Sequence, residues 1–355
     1  MNTSMVTRHP FGVHFNLPFD AYLADPALSQ SGIKRLLVSP LTYWDGSYMN
    51  PKREPNDKYA MVLRHAIHKR ILEGEAAYQE NFAVSPRRED YPGALDGSAD
   101  LKETCHAMGL KVTGTIAEYI ARIHSIDPDI LIWPDIVHRF KEGAQGKELL
   151  KADDAALVDR MAVAVESDPE ARAAFMGGFP EVSVFWPDPK SGVRMKARFD
   201  YLKPIPIVDL KSFTNVKNIP LQKAIVNFLG SYGGIVQAVL YLLAAKQAKL
   251  MINRGMIYGE SRSNPIIQAF LNSKKNKFFF VFVETGTANN LIIREFPQFN
   301  SAGDETLLYQ TGIKTIESAI QDFKSLSEQF GTNRWNVKHA TRAFTDDEFP
   351  PWTFI

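Results

Sequence analysis

Asp200, Asp209 and Lys211 are the residue types that hydrolysis of a phosphodiester requires, and they fall within one short stretch of chain. Two carboxylates and a main-chain carbonyl form a hard-oxygen set suited to Mg²⁺, or Mn²⁺, rather than to zinc. An ion held that way generates a hydroxide nucleophile and stabilises the leaving oxygen. Lys211 would orient the attacking water or meet the charge developing on phosphorus. Side chains alternate along a strand, so Asp209 and Lys211 share a face while Leu210 points the other way. Leu210 is the residue whose backbone carbonyl is expected to complete the metal set. Glu181 supports the site directly or through water. Gln237 and Tyr241, four apart on one helix face, can hold a phosphate or the carboxylates. His68 is the candidate for an additional metal ligand.

The elements that must position these groups are legible around them. Residues 181–186, 193–202 and 205–211 read as three short strands, with turns at Asp188–Gly192 and Pro204. Ile205, Pro206, Ile207 and Val208 are apolar on both faces, as in a buried central strand. In the strand before it, Val193, Met195, Ala197 and Phe199 form a core face. Arg194, Lys196, Arg198 and Asp200 form the other, a basic row ending in a carboxylate, expected to face DNA phosphates. A single amphipathic helix is expected at about 220–249, strands at 277–284 and 290–296, and a helix at about 304–329.

Upstream, Ser29 or Ser31 can cap a helix through Ile33–Leu37, and Pro40 lies past its end. A helix from Lys58 stops near Gly74. Residues 85–100 read as a polar loop, and from 101 to about 176 the pattern is mainly helical. The expected architecture is α/β, a mixed central sheet flanked by helices. Residues 1–57 form an N-terminal arm of one domain, 58–355 its body, and about 85–178 a helical insertion.

Bulk properties exclude more than they assign. The chain has 355 residues and a net charge of +1, so DNA affinity must come from a local groove and bound metal. One cysteine, Cys105, rules out a disulfide framework and a cysteine-rich zinc site. Met1–Pro10 does not read as a signal peptide, and the apolar run Ile235–Ala245 is too short to span a bilayer. A cytoplasmic protein without membrane attachment is expected.

The order His68, Asp200, Asp209-Leu210-Lys211, then Gln237-x3-Tyr241 resembles the nuclease domain of the exonuclease VIII (RecE) family, within the RecB-type PD-(D/E)xK group. ALSQSGIKRLLVSPLTYW (residues 27–44) resembles its N-terminal signature, and Gly192…Arg198-Phe199-Asp200 its G…R-x-D strand pair. Trp335 with Pro350-Pro351-Trp352 resembles its ending. Arg64 stands where that family usually has Gly before the histidine, and His65 lies on a different helix face.

The resemblance implies a restriction-endonuclease-like core and a Mg²⁺-dependent exonuclease acting on double-stranded DNA ends, 5′→3′, in phage-type recombination. It further implies a homo-oligomer and a single-strand annealing protein as partner. A structure-specific or restriction-like endonuclease, and a DNA-binding relative without catalysis, are the competing readings.

Overall fold

The computed structural model describes residues 7–53 and 58–338, together with 343, 345 and 348. The expected signature at residues 350–352 lies outside them. Among the described residues, nine strands form two sheets: β1 Gly12–His14, β2 Phe82–Val84, β3 Glu148–Leu150, β4 Phe179–Pro187, β5 Arg194–Leu202, β6 Pro206–Phe213, β7 Ile257–Tyr258, β8 Lys277–Glu284 and β9 Leu291–Glu295. The large sheet is mixed, in the order β7-β1-β4-β5-β6-β8-β9. β1/β7 and β6/β8 are parallel and the other neighbours antiparallel. The fold is therefore mixed α/β, a seven-stranded sheet flanked by helices.

Alternation along the central strands divides the core. Met195, Ala197, Phe199, Ile207 and Phe213 face the helices Gly234–Asn253 and Leu307–Phe330. Val208, Leu210, Val281 and Val283 face the other side, where Ile67, Val158, Met161 and Phe175 cover them. Both faces of β6 are thus closed, as its unbroken apolar run predicts. The helix Gly234–Asn253 is long and apolar enough to cross a membrane, but it is mostly buried between the sheet and Leu307–Phe330.

Three expectations are corrected. The single helix at 220–249 is two, Leu221–Ser231 and Gly234–Asn253, because Gly233 adopts φ 64°. A left-handed residue ends one helix and redirects the chain into the next. The helix from Lys58 gives way after His68 to a π-helical turn, Lys69–Glu73. The expected insertion at 85–178 also divides. Helices Gly97–Ala107, Ile116–Ile126 and Trp133–Gly143 close a small core of their own around Leu101, Cys105, Tyr119, Ile123 and Ile132. Ala152–Ser167 and Pro169–Ala174 instead pack on the main sheet through Val158, Met161 and Ala171.

The N-terminal arm is integral to the body. β1 joins the sheet, Trp44 donates to the carbonyl of Thr332, and Tyr43 stacks on the fully buried Trp335 at 5.0 Å between centroids.

Candidate metal centre

The site forms where β5 and β6 part. They pair at Tyr201↔Val208 and Leu202↔Ile207. One step further, the Asp200 carboxylate takes over: its Oδ2 accepts the Leu210 N–H at 2.8 Å. In extended backbone a residue's N–H and C=O point to the same side, so the Leu210 carbonyl looks toward the same gap. Across β5, the ladder to β4 holds at Pro180↔Tyr201 and Val182↔Phe199 but skips Glu181, which has φ 54°. A left-handed conformation costs a non-glycine residue on the order of 1–3 kcal/mol and persists only where the surroundings impose it. Here Arg198 forms an ion pair with Glu181, turning its carboxylate toward Asp200.

From the second face, the last residue of helix Lys58–His68 enters the same space. His68 Nδ1 lies 3.7 Å from Glu181 and 3.9 Å from Asp200. Ligand atoms of His68, Glu181 and Asp200 all fall within 4.8 Å of one another. Asp200 is 8% exposed, and burial, with the Asp209 charge beside it, raises its pKa to about 6. Burial also works to raise Glu181, but His68 and Arg198 outweigh it and hold it at about 2.

Asp209 is fully buried on the opposite face of β6 from Leu210. Its Oδ1 accepts from Gln237 Nε2 at 2.5 Å. Its Oδ2 lies against the Lys211 ammonium as an ion pair and accepts no well-formed hydrogen bond. A buried carboxylate without partners is costly, and the Gln237 amide and the Lys211 ammonium offset that cost here. Tyr241 bonds to Gln237 one turn along the helix and sits edge-on to Phe199 and Phe278. Burial drives its pKa well above the usual value, so it is a neutral phenol. A histidine and two carboxylates so close together are a donor set for a divalent metal ion.

Of the expected site residues, His68, Glu181, Asp200, Asp209, Lys211, Gln237 and Tyr241 converge. Asp209 stands beside the three-residue cluster rather than within it.

The basic row is corrected. Arg194, Lys196 and Arg198 do lie opposite the core face of β5, but the N-terminal arm covers them. Arg194 donates to both carboxylate oxygens of Asp25, at 2.9 and 2.6 Å, and Asp25 has no exposed side-chain surface. Lys196 is 5% exposed and donates to the carbonyls of Tyr22, Leu23 and Asp25, at the end of helix Phe19–Ala24. Unpaired carbonyls at a helix C-terminus attract a cation in this way. Arg198 spans Glu181, the carbonyl of Leu17 and Ser183 Oγ. These cations are spent on the fold and on Glu181, and no open phosphate-facing row exists there. What sequence reasoning missed is the partner of Glu181. Arg198, two residues before Asp200 on the same strand face, was the available signal.

No protein-family model and no curated protein sequence matches the chain. Among the solved structures with low-level similarity to it are the following two. One, a provisionally assigned exonuclease from Eubacterium rectale, is 14% identical and aligns over 75% of this chain and 98% of its own, with TM-score 0.35. The other, SSO0001, is 11% identical over 74% of this chain and 85% of its own, with TM-score 0.22. Likeness at this level carries no activity from one chain to another.

Proposed function

We propose that this chain is a divalent-metal-dependent nuclease with a PD-(D/E)xK-type core, hydrolysing DNA phosphodiester bonds. The observation that carries the reading is the convergence of His68, Glu181 and Asp200 at the parting of β5 and β6, with the Asp209–Lys211 pair alongside. His68, Asp200, Asp209 and the Leu210 carbonyl would hold the ion, with Glu181 supporting them. Bound there, Mg²⁺ or Mn²⁺ supplies an activated water and neutralises charge on the phosphate.

The chain's own groups divide the remaining work. Gln237 fixes the Asp209 carboxylate, and Tyr241 fixes Gln237. Arg198 holds Glu181 ionised. Lys211, 11% exposed in its side chain and tied to Asp209, is placed to orient water or to meet negative charge. Within this proposal the substrate is a double-stranded DNA end, digested 5′→3′ to leave a 3′ overhang for a single-strand annealing partner. The enzyme would be a cytoplasmic homo-oligomer.

The test is digestion of linear and covalently closed plasmid with Mg²⁺ or EDTA, by wild type and Lys211→Ala. Loss of the linear form alone, abolished by EDTA and by the substitution, is the expected result. Cutting of the closed circle would replace the exonuclease with an endonuclease. No cleavage with any metal would remove catalysis from the reading.

A further inference from the structure

With Arg194, Lys196 and Arg198 committed to the interior, DNA must meet positive charge elsewhere, and the chain's net charge of +1 leaves little to spare. Two cations beside the metal cluster carry no acidic partner among the described residues. Arg64 is exposed, makes no hydrogen bond or ion pair there, and stands one helical turn before His68 on the same face of its helix. Lys34, on helix Gln30–Val38, donates only to the carbonyl of Tyr232, at 2.7 Å. Its stem lies so close over Gly233 that a Cβ there would come within 2.6 Å of Lys34 Cδ. That contact pins the ammonium where helix Gly234–Asn253 begins, one turn before the Gln237 that holds Asp209. The helix's first N–H groups add partial positive charge to the same spot.

We propose that Lys34 and Arg64 form a phosphate clamp on the rim of the metal cluster. It takes a backbone phosphate of the nucleic-acid strand next to the one hydrolysed. The inference rests on the nuclease reading and deepens it. Burial first, and then the Lys211 and Arg64 charges, lower the Lys34 pKa to about 8, with Asp209 working against them. Three cations share one region with Asp209 as their neighbouring acid, and an arriving phosphate relieves the imbalance. Arg64 supplies a planar fork that matches phosphate oxygens, and Lys34 a point charge.

The experiment measures binding of a short blunt DNA duplex, in Ca²⁺, across a range of salt. It compares wild type, Arg64→Gly, Lys34→Met and the double variant, with denaturation midpoints as a check on folding. Each single substitution is expected to weaken binding by about 3- to 10-fold and to flatten the log K against log salt slope by about 1, the double by about 2. Arg64 is exposed, so its variant reads the clamp even if Lys34→Met disturbs packing at Gly233. Wild-type binding with unchanged affinity and slope in Arg64→Gly overturns the clamp and leaves the nuclease reading intact. A wild type that neither binds nor cleaves DNA removes both.

Discussion

Metal binding at the cluster should be coupled to the protonation of Asp200, and the coupling can be worked through. Burial raises the Asp200 pKa from 3.8 to about 6 in the folded protein. Without metal the fold therefore favours the protonated acid. The stability due to this group is fully present below the unfolded pKa and is lost as pH rises through about 6. A divalent cation reverses that preference, because it binds the carboxylate. At pH 7 Asp200 is about nine-tenths ionised, and at pH 5 about one-tenth, so its own share of the change is an about tenfold fall in apparent affinity. Glu181, held at about 2, stays ionised throughout and adds nothing to the difference.

Mn²⁺ at about 100 times its Kd at pH 7 would stabilise the fold by about 2.7 kcal/mol. The same concentration at pH 5 would be about tenfold over the apparent Kd and contribute about 1.4 kcal/mol. Urea unfolding with and without Mn²⁺ at both pH values measures this directly. Asp200→Asn is the control: the amide oxygen can still accept from Leu210, and only the charge is lost. An equal Mn²⁺ shift at both pH values, or one that survives in Asp200→Asn, would refute the assignment.

Other outcomes follow from the packing. Asp25→Ala leaves the guanidinium of Arg194 without its acid and should destabilise by about 3–5 kcal/mol in urea unfolding. A loss under 1 kcal/mol would mean the arm is not held by this pair. Gln237→Leu strips Asp209 of its neutral donor and should cost about 1–3 kcal/mol of stability. On the nuclease reading it also lowers kcat more than tenfold, with KM little changed; unaltered turnover would show that Asp209 needs no support. Trp335→Ala empties a fully buried site stacked on Tyr43 and should cost about 3–5 kcal/mol. A midpoint equal to wild type would show that the segment after Phe330 does not contribute to the core.

The central strands were legible because their chemistry is local. β5 alternates apolar and charged residues, β6 is apolar throughout until Asp209, and each pattern admits one placement in a sheet. Asp200, Asp209 and Lys211 lie on successive strands that the local pattern places side by side, whereas the approach of His68 to Asp200 was expected from the resemblance and not from spacing. The fate of the basic row was not legible. A strand face of Arg194, Lys196 and Arg198 looks the same whether water or chain covers it, and Asp25 lies 169 residues from Arg194. No local period reports a partner so distant. The break at Gly233 was different in kind: Gly230, Gly233 and Gly234 were in plain sight, and the apolar spacing on either side masked them. The skipped pairing at Glu181 has no sequence signal, since its backbone is set by Arg198 and the neighbouring strands acting together.

The small sheet gives the helical insertion its independence. β2 and β3 are parallel and adjacent, with Phe82 opposite Glu148, so the chain leaves the body and returns at nearly the same place. Between them, Gly97–Ala107, Ile116–Ile126 and Trp133–Gly143 bury their own apolar residues. Because loop-closure entropy grows only slowly with length, a host fold tolerates a long excursion between neighbouring points almost as readily as a short one. The three helices can therefore be acquired, exchanged or lost as a cassette while the body keeps its register. Variation among descendants of this fold should concentrate there, with the metal cluster travelling unchanged beside it.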